Sequence, residues 1–427
     1  MSFLLLDFGA SRVKSAVLTA DTRSLVHFSE WAPVPPAVCG DSKFEVRVQD
    51  LKALFEKIVA AYREKFAVSG ICVCTEMHGF AVLDQNNVPL SNYISWQDER
   101  EHAGRKKVLP DFLKAFSPQH YLEVTGMNHA ASPIANLLHV VAEVPERTVK
   151  IVTMPELFVS VPGGKDAAAH ISSSAGLGLW DWGGRCWSSE IIDFVGQYTG
   201  HKLIFNEVAT TFKPAGFCMG IPVFCGMGDL QCAVIGAGND EASISVNLGT
   251  GSQVSQIGKS DIGFERRPVF RDVEMQTVTH IPSGRVLNHF IAFLRELAPG
   301  RDFWQELASC PPERISDATL DFDLALFSGA WNYSGGGSVS GIGEKNLTAD
   351  NFLASLLKSY TGQYIKIIKT FDFSLADRLI FSGGIANKIP AVREVIAAET
   401  GIPAEVSGVA EETLEGLKKL IITNNLI

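Results

Sequence analysis

The chain has 427 residues, more than one ordinary hydrophobic core accommodates, so two domains are expected. Its composition, with 46% hydrophobic and 20% charged residues, is typical of a soluble globular protein. The net charge of -10 argues against a nucleic-acid backbone as partner, although a few local donors can still hold the phosphates of a nucleotide.

Cysteine usage and hydropathy indicate the cellular compartment of the protein. The eight cysteines are scattered and form no Cys-x-x-Cys pair, which favours a reducing compartment over a disulfide scaffold or a zinc site. No apolar run reaches about 18 residues, and Asp7 interrupts the short apolar start. We therefore expect a cytoplasmic protein with no membrane partner. We further expect a monomer or homodimer, although neither cysteine usage nor hydropathy decides this.

In chain order, the first half alternates strand and helix patterns. Residues 3–6 predict a buried strand, residues 13–19 its hairpin partner, and a third strand is expected near Arg47. Residues 50–66 carry apolar side chains at helical spacing, with Asp50 as the predicted N-cap, and an apolar strand follows. This alternation indicates an α/β architecture.

The second half begins in the same way. Residues 221–225 predict a strand and residues 230–236 a helix. A long helical pattern spans 350–371, and a strand is expected at 378–381.

An internal repeat links the two halves. Asp7-Phe8-Gly9-Ala10-Ser11 aligns with Asn247-Leu248-Gly249-Thr250-Gly251, and in each copy a strand precedes the segment and a strand follows it. Such a repeat indicates two similar domains facing each other across a cleft. We place the division near Lys213-Pro214, which gives domains 1–214 and 215–427.

The first copy of the repeat suits phosphate chemistry. Gly9 allows a tight turn whose backbone N–H groups can cradle phosphate oxygens, Ser11 adds a hydroxyl, and Lys14 adds positive charge. Asp7 would repel a phosphate directly, but it can hold a hydrated Mg²⁺ that contacts one. The alternative is an ordinary hairpin in which Asp-x-Gly is chosen for its turn propensity.

The second copy differs in one respect. Gly249, Thr250 and Gly251 offer N–H groups and a hydroxyl but no carboxylate. This turn is therefore expected to bind phosphate, while the first also serves the metal.

Asp229 is the candidate catalytic residue. It follows Gly226-Met227-Gly228 at a predicted strand end and precedes a helix. Glycines there leave room for a ligand, and a carboxylate can accept a proton from an attacking hydroxyl. The alternative is simple N-capping of the helix by aspartate.

Two further segments give weaker indications of ligand binding. His78, Trp96, Asp98 and Arg100 combine an aromatic platform with groups that can bond the hydroxyls of a polyol, although a lone histidine is usually structural. The Ser-Gly-Gly turn at 382–384 could bring backbone close to a planar base, but Gly-Gly turns before helices are common.

At this point the residues resemble the FGGY carbohydrate kinases, within the actin, hexokinase and heat-shock ATPase fold group. The similarity covers nearly the whole chain in order, and it rests on five segments: DFGASRVKSAVL, MHG with ISWQDER, GMGDLQCAVIGAG, SVNLGTGSQVS and FSGGIANKIPAVREVIA. The sugar-type segment looks most like the sedoheptulokinase or xylulokinase branch. Two departures are Ala10, where a hydroxyl is usual, and the C-terminal EETLEGLKKL, which lacks the usual small-residue helix.

The resemblance implies two ribonuclease H-like domains flanking a cleft, and transfer of the γ-phosphoryl group of ATP, with Mg²⁺, to a hydroxyl of a ketose or polyol. It makes Asp229 the base and a possible metal ligand, and Asp7 the residue that organises Mg²⁺ through water. The other implied contacts are to sugar by Met77, His78, Gly79, Trp96, Asp98 and Arg100; to phosphates by Gly9, Ser11, Lys14, Gly249, Thr250 and Gly251; and to adenosine by Gly383, Gly384 and Asn387.

Two other functions stay open at this point. One is a catalytically weak sugar-binding or regulatory protein that keeps the kinase fold, since a fold alone does not guarantee activity. The other is a chaperone-like ATPase with no small acceptor, against which the sugar-type segment argues.

Overall fold

The computed structural model describes residues 2–40, 42–103, 107–161, 164–258, 263–326, 335–372 and 376–426. Within these ranges no helix is both long and apolar enough to cross a membrane.

The strands are mostly short and are named here in chain order: β1 (Ser2–Phe8), β2 (Val13–Thr19), β3 (Leu25–Trp31), β4 (Val38–Gly40), β5 (Lys43–Val46), β6 (Val68–Thr75), β7 (Ala81–Leu83), β8 (Tyr93–Ile94), β9 (Thr148–Val152), β10 (Ala169–His170), β11 (Trp180–Asp181), β12 (Cys186–Trp187), β13 (Lys202–Ile204), β14 (Val208–Ala209), β15 (Pro214–Cys218), β16 (Ile221–Phe224), β17 (Met227–Gly228), β18 (Ser243–Leu248), β19 (Ser252–Ile257), β20 (Glu265–Phe270), β21 (Val273–Ile281), β22 (Asp321–Asp323), β23 (Ser338–Ser340), β24 (Arg378–Ser382) and β25 (Ala404–Val406).

The helices follow the same convention: α1 (Val48–Arg63), α2 (Arg100–Ala103), α3 (Leu109–Ala115), α4 (Pro118–Thr125), α5 (Ile134–Glu143), α6 (Met154–Ser160), α7 (Ile171–Ser174), α8 (Ser189–Thr199), α9 (Asp229–Gly236), α10 (Gly284–Leu297), α11 (Phe303–Ala308), α12 (Pro312–Asp317), α13 (Ala349–Ile368), α14 (Gly384–Lys388), α15 (Pro390–Thr400) and α16 (Glu412–Thr423). A short 3₁₀ helix spans Ala175–Leu177.

The chain folds into two compact units, and each unit is built from more than one segment of the chain. Unit 1 comprises Met1–Gly236, Asp261–Glu274 and Glu411–Ile427, and unit 2 comprises Ala237–Ser260 and Met275–Ala410. The predicted domains, 1–214 and 215–427, divide the chain by its motifs, and that division stays a prediction.

The main sheet of unit 1 has the strand order β15-β16-β6-β1-β2-β3, with β17 also paired to β6. Strands β1 and β6 are parallel, whereas β1 and β2 form the antiparallel hairpin that the sequence predicts. Phe8, at the end of β1, packs on Phe158 of α6 with ring centroids 4.6 Å apart, and Phe158 stacks on Phe55 of α1. Burying each ring is worth on the order of 1.5–3 kcal/mol, so the end of β1 is firmly anchored.

Unit 2 repeats this arrangement, with the strand order β21-β19-β18-β24-β25. Strand β18 is antiparallel to β19 and parallel to β24, as β1 is to β2 and β6. Asn247 occupies the place of Asp7, and its side-chain amide donates to Ser382 Oγ at 2.9 Å. The α/β architecture and the repeated hairpin are thus confirmed.

Two details predicted near the first helix need correction. The strand expected near Arg47 is β5, which ends at Val46 and is the fifth strand rather than the third. Helix α1 begins at Val48, and its N-cap position is held by Arg47 without a side-chain hydrogen bond, so the prediction of Asp50 as the N-cap is wrong. Asp50 lies in the first turn of the helix, where a carboxylate still favours the positive end of the helix dipole.

Candidate functional site

Three acidic residues lie at adjacent strand ends in unit 1. Asp7 is the penultimate residue of β1 and pairs in register with Cys74 of β6. Gly228 of β17 pairs with Thr75, the last residue of β6, so Glu76 and Asp229 each follow a paired strand end. The strands are parallel, and the carboxyl ends of parallel strands are where α/β proteins place their ligand sites.

Asp7 is buried and only partly satisfied by hydrogen bonds. Its Oδ2 accepts a bond of 2.7 Å from the Thr413 hydroxyl, and the Cys74 thiol lies 3.7 Å from Oδ1. Burial raises the pKa of the carboxyl above its usual value, and the hydrogen bond from Thr413 opposes that rise.

Asp229 is the first residue of α9 and is half-buried. Its Oδ1 accepts a bond of 2.8 Å from the amide of the next residue, Leu230. An N-cap side chain accepts instead from the second or third residue after it, so this bond does not support the N-capping alternative. Burial raises the pKa of Asp229 to about 7, and the charges of Asp7 and Glu76 contribute to the rise. A carboxyl with this pKa can exchange a proton near neutral pH.

Glu76 is an acidic residue that sequence reasoning missed. Its backbone amide donates to Phe8 O at 3.1 Å, and its Oε1 accepts a bond of 3.0 Å from the Ser95 hydroxyl. Burial raises the pKa of Glu76 to about 7, against the lowering effect of Ser95. The available signal was its position: a carboxylate directly after an apolar strand and directly before Met77.

The predicted phosphate turn forms at the end of β1. Gly9 N donates to Arg12 O at 3.1 Å, and Ser11 is exposed. Lys14, opposite Asp7 in the hairpin, is paired through Nζ with Glu411 Oε2 at 2.5 Å. The positive charge expected to face phosphate is therefore engaged by a carboxylate of the C-terminal segment.

Met77, His78 and Gly79 form a tight, largely buried bend. His78 adopts a φ of 67°, which is uncommon outside glycine, and its Nδ1–H donates to Gly176 O at 2.9 Å. Gly79 is needed for packing, because an added Cβ would overlap the hydroxyl of Tyr93. Backbone strain of this kind concentrates at ligand sites.

Trp96, Asp98 and Arg100 separate into two environments. Trp96 is exposed at 49%, as an aromatic platform requires. The Asp98 carboxylate accepts two bonds from the Arg100 guanidinium, of 2.7 and 2.8 Å, one of 3.1 Å from Arg100 N, and one of 2.8 Å from Phe44 N. Arg100 also bonds Glu45 at 2.8 Å. The two buried side chains thus neutralise each other inside the protein, and their sugar contacts stay a prediction.

The predicted nucleotide residues of unit 2 come together in part. Gly383 adopts a φ of 88°, and an added Cβ would lie 2.6 Å from the backbone of Leu248 and 2.9 Å from Gly249 N. The Ser-Gly-Gly turn therefore packs directly on the second phosphate turn. Thr250, Gly251, Gly384 and Asn387 are exposed.

A serine run before the 3₁₀ helix supports the loop that carries Asp229. Ser172 Oγ accepts from Gly228 N at 3.0 Å, and Ser173 Oγ donates to Gly226 O at 3.0 Å. Nothing in the local pattern of these serines reveals this contact, since it joins residues more than fifty positions apart.

Asp7 and Asp229 fit a magnesium ion better than a soft metal. Among the described residues, no three His, Cys, Asp or Glu side chains converge to hold a metal by themselves. Magnesium usually keeps several waters and takes only one or two carboxylates together with substrate phosphates. The donor set therefore suits Mg²⁺ that arrives with a nucleotide.

A pocket of about 120 Å³ lies beside the first phosphate turn, within unit 1. Gly9 and Ala10 form part of its wall, and Glu76 and Ser95 are among its few polar groups. The remaining walls are mainly apolar side chains. Asp229 and the predicted sugar contacts are not among its lining residues.

Comparison with known proteins identifies a family match. Residues 2–236, more than half of the chain, match the family model described as "FGGY family of carbohydrate kinases, N-terminal domain". A xylulose kinase from Bacillus subtilis is 22% identical over 60% of this chain and 52% of its own length. One from Lactococcus lactis is 26% identical over 44% of this chain and 39% of its own length. The alignments thus span about half the length of these curated relatives or less.

Solved structures share the fold across the full chain. Ligand-bound xylulose kinase from Lactobacillus acidophilus superposes with a TM-score of 0.81 at 16% identity, covering 100% of this chain and 90% of that one. Glycerol kinase from Plasmodium falciparum with ADP gives a TM-score of 0.79 at 15% identity, with the same coverage. At these identities the similarity establishes the fold alone.

Proposed function

The chain belongs to the FGGY family of carbohydrate kinases, and we propose that it transfers the γ-phosphoryl group of ATP to a hydroxyl of a small sugar. The observation that carries this proposal is the group of strand-end carboxylates in unit 1. Asp229, with a pKa of about 7, sits close enough to Asp7 for the two charges to interact. One carboxylate would serve the acceptor and the other the metal.

We propose a ketose as the acceptor, with xylulose first and sedoheptulose second. The curated relatives are xylulose kinases, which supports a ketopentose. The exposed Trp96 offers a flat apolar surface of the kind on which sugar rings and chains pack. A cytoplasmic location and a monomeric or homodimeric state remain predictions.

Asp229 would act as the general base. Its carboxylate would accept the proton of the attacking hydroxyl, which makes the oxygen a better nucleophile toward phosphorus. The Ser172 and Ser173 contacts to the preceding glycines would keep this carboxylate in place. Phosphoryl transfer needs little covalent chemistry from a protein, so alignment of this kind is the main contribution.

The turn after β1 would orient the phosphates. Because Gly9 N already donates to Arg12 O, the donors to phosphate oxygens would be the backbone N–H groups after Gly9 and the hydroxyl of Ser11. Asp7 would hold the waters of Mg²⁺, and the ion when bound neutralises charge on the phosphate oxygens. The buried position of Asp7 limits the orientations of its carboxylate, which suits a ligand with strict geometry.

A panel of ketoses, polyols and sugar acids, assayed for ADP release with ATP and Mg²⁺, tests the proposal. We expect turnover with one or more ketoses. The Asp229→Asn variant should lose on the order of 10²- to 10⁴-fold in kcat, because it removes the base. Its affinity for ATP should be retained. Asp193→Asn, at an exposed aspartate in α8, serves as a matched control and should keep wild-type turnover.

Three results would count against the proposal or its parts. ATP hydrolysis that is indifferent to every acceptor would favour an ATPase without a sugar substrate. Sugar binding without any ADP release would favour a binding or regulatory protein. An unchanged kcat in Asp229→Asn would remove Asp229 from the role of base.

A further inference from the structure

The hydrogen bond between Thr413 and Asp7 is a contact that sequence motifs do not predict. Thr413 lies in the first turn of α16, 406 positions from Asp7 in the chain. Its Oγ1 donates to Asp7 Oδ2 at 2.7 Å, while Oδ1 faces the weak thiol donor of Cys74 at 3.7 Å. Thr413 thus supplies the strongest hydrogen bond that the described residues give to this carboxylate.

The start of α16 is tied to the hairpin at a second point. Glu411, just before the helix, pairs with Lys14, and Lys14 is the register partner of Asp7 across the hairpin. At the start of α16, Thr413 therefore contacts Asp7 of β1. Glu411, just before the helix, contacts Lys14 of β2, which faces Asp7. The contacts hold the end of α16 in one orientation relative to Asp7.

Helix α16 is also held firmly against α9, the helix that Asp229 begins. Gly236 and Gly416 let the two backbones touch, since a Cβ added at either glycine would overlap a carbonyl of the other helix. Lys419 Nζ donates to Ile235 O and Gly236 O at 3.0 and 3.1 Å, which satisfies carbonyls at the end of α9. A hydroxyl on such a fixed helix has little freedom to move.

We infer that Thr413 is a positioning residue for Asp7, and that it turns Oδ1 toward the waters of a magnesium ion. The inference rests on the proposed function, which assigns Mg²⁺ to Asp7. Because one oxygen is held by the hydroxyl, the carboxylate plane is fixed and the other oxygen is left for the waters of the metal. Magnesium requires near-ideal octahedral geometry, so a carboxylate that rotates freely would bind its waters less well.

The expected loss of metal affinity can be taken from other metal sites. Groups that orient a metal's ligands typically contribute roughly 10- to 100-fold to metal affinity. We expect a loss of this size when the hydroxyl of Thr413 is removed. Binding of the nucleotide itself should change little, since the Thr413 hydroxyl is already engaged by Asp7.

The test compares Thr413→Val, which keeps the shape and removes the hydroxyl, with Thr413→Ser, which keeps the hydroxyl. Isothermal titration with ADP is performed in the presence and absence of Mg²⁺, so the result does not depend on turnover. We expect Val to weaken binding of ADP with Mg²⁺ by about 10- to 100-fold and to leave metal-free ADP binding unchanged. Ser should restore wild-type affinity.

A matched control lies on the same helix. Thr423 donates its hydroxyl to Lys419 O within α16, so Thr423→Val removes a comparable group away from Asp7 and should leave both affinities unchanged. If Thr413→Val folds and retains the wild-type effect of Mg²⁺, the inference is overturned while the proposed function stands. A wild-type protein whose ADP affinity is indifferent to Mg²⁺ would overturn the metal role of Asp7 itself.

Discussion

At the scale of single residues, the unusual property of the site is a pair of carboxyls that are hard to ionise. Asp229 and Glu76 both have pKa values raised to about 7, in each case mainly by burial. Proximity to Asp7 adds to the effect for Asp229. A general base is most effective when its pKa lies near the working pH, and the raised pKa of Asp229 suits the role proposed for it.

We expect kcat to rise with pH through a midpoint of about 7, because a general base acts only when deprotonated. Glu76→Gln removes a negative charge that raises the pKa of Asp229, so the midpoint should move to lower pH. The measurement is a pH profile of kcat for wild type and variant. Glu64→Gln, at an exposed carboxylate that follows α1, serves as the control and should leave the midpoint in place.

The same pKa shift predicts an effect on stability. The pKa of Asp229 is raised from its ordinary value of 3.8 to about 7 in the fold, so the folded protein binds this proton more tightly than the unfolded chain does. The stabilisation is present below about pH 4 and is lost as pH rises through about 7. Asp229→Asn should therefore raise Tm more at about pH 8 than at about pH 5. Equal Tm differences at the two pH values would contradict this linkage.

At the scale of elements, the α9–α16 pair depends on two glycines. An added Cβ at Gly416 would overlap Cys232 O, and one at Gly236 would overlap Glu412 O, in both cases with rigid backbone. Gly416→Ala should therefore destabilise the protein by about 1–3 kcal/mol or more, as overpacking does. The control is Gly362→Ala in α13, where no atom beyond the adjoining backbone lies within 4 Å of the added carbon.

The control substitution should have the opposite effect on stability, because of helix propensity. Alanine is favoured over glycine in a helix interior by about 1 kcal/mol, so Gly362→Ala should raise the free energy of unfolding. Chemical denaturation of Gly416→Ala and Gly362→Ala measures the free energy of unfolding of each variant and tests both predictions. Two substitutions with the same effect on stability would show that close packing of α16 on α9 is unimportant.

The elements themselves were largely predictable from local sequence. The strand at 13–19 is found as β2 with the same bounds, and the hairpin repeat is found in both units, because apolar runs and glycine turns act over short distances. The prediction for Asp50 failed because several residues near a helix start can serve as its N-cap, and the backbone selected Arg47.

At the scale of the whole molecule, the contacts that sequence could not predict are the long-range ones. In the C-terminal segment EETLEGLKKL, Gly416 provides the close helix contact. The pairings of Lys14 with Glu411 and of Asp7 with Thr413 join opposite ends of the chain. No single segment contains the information that brings such residues together.

The interleaved chain path leads to a last prediction. Residues 411–427 belong to unit 1 although they follow all of unit 2 in sequence. Removing them takes α16 away from β1, β6 and α9, and it exposes apolar side chains that α16 now shields. We expect hydrogen exchange to speed up in β1 and α9, while β18 and β24 in unit 2 keep their protection. Uniform loss of protection in both units would show that the two units unfold together, and would contradict the assignment of α16 to unit 1 alone.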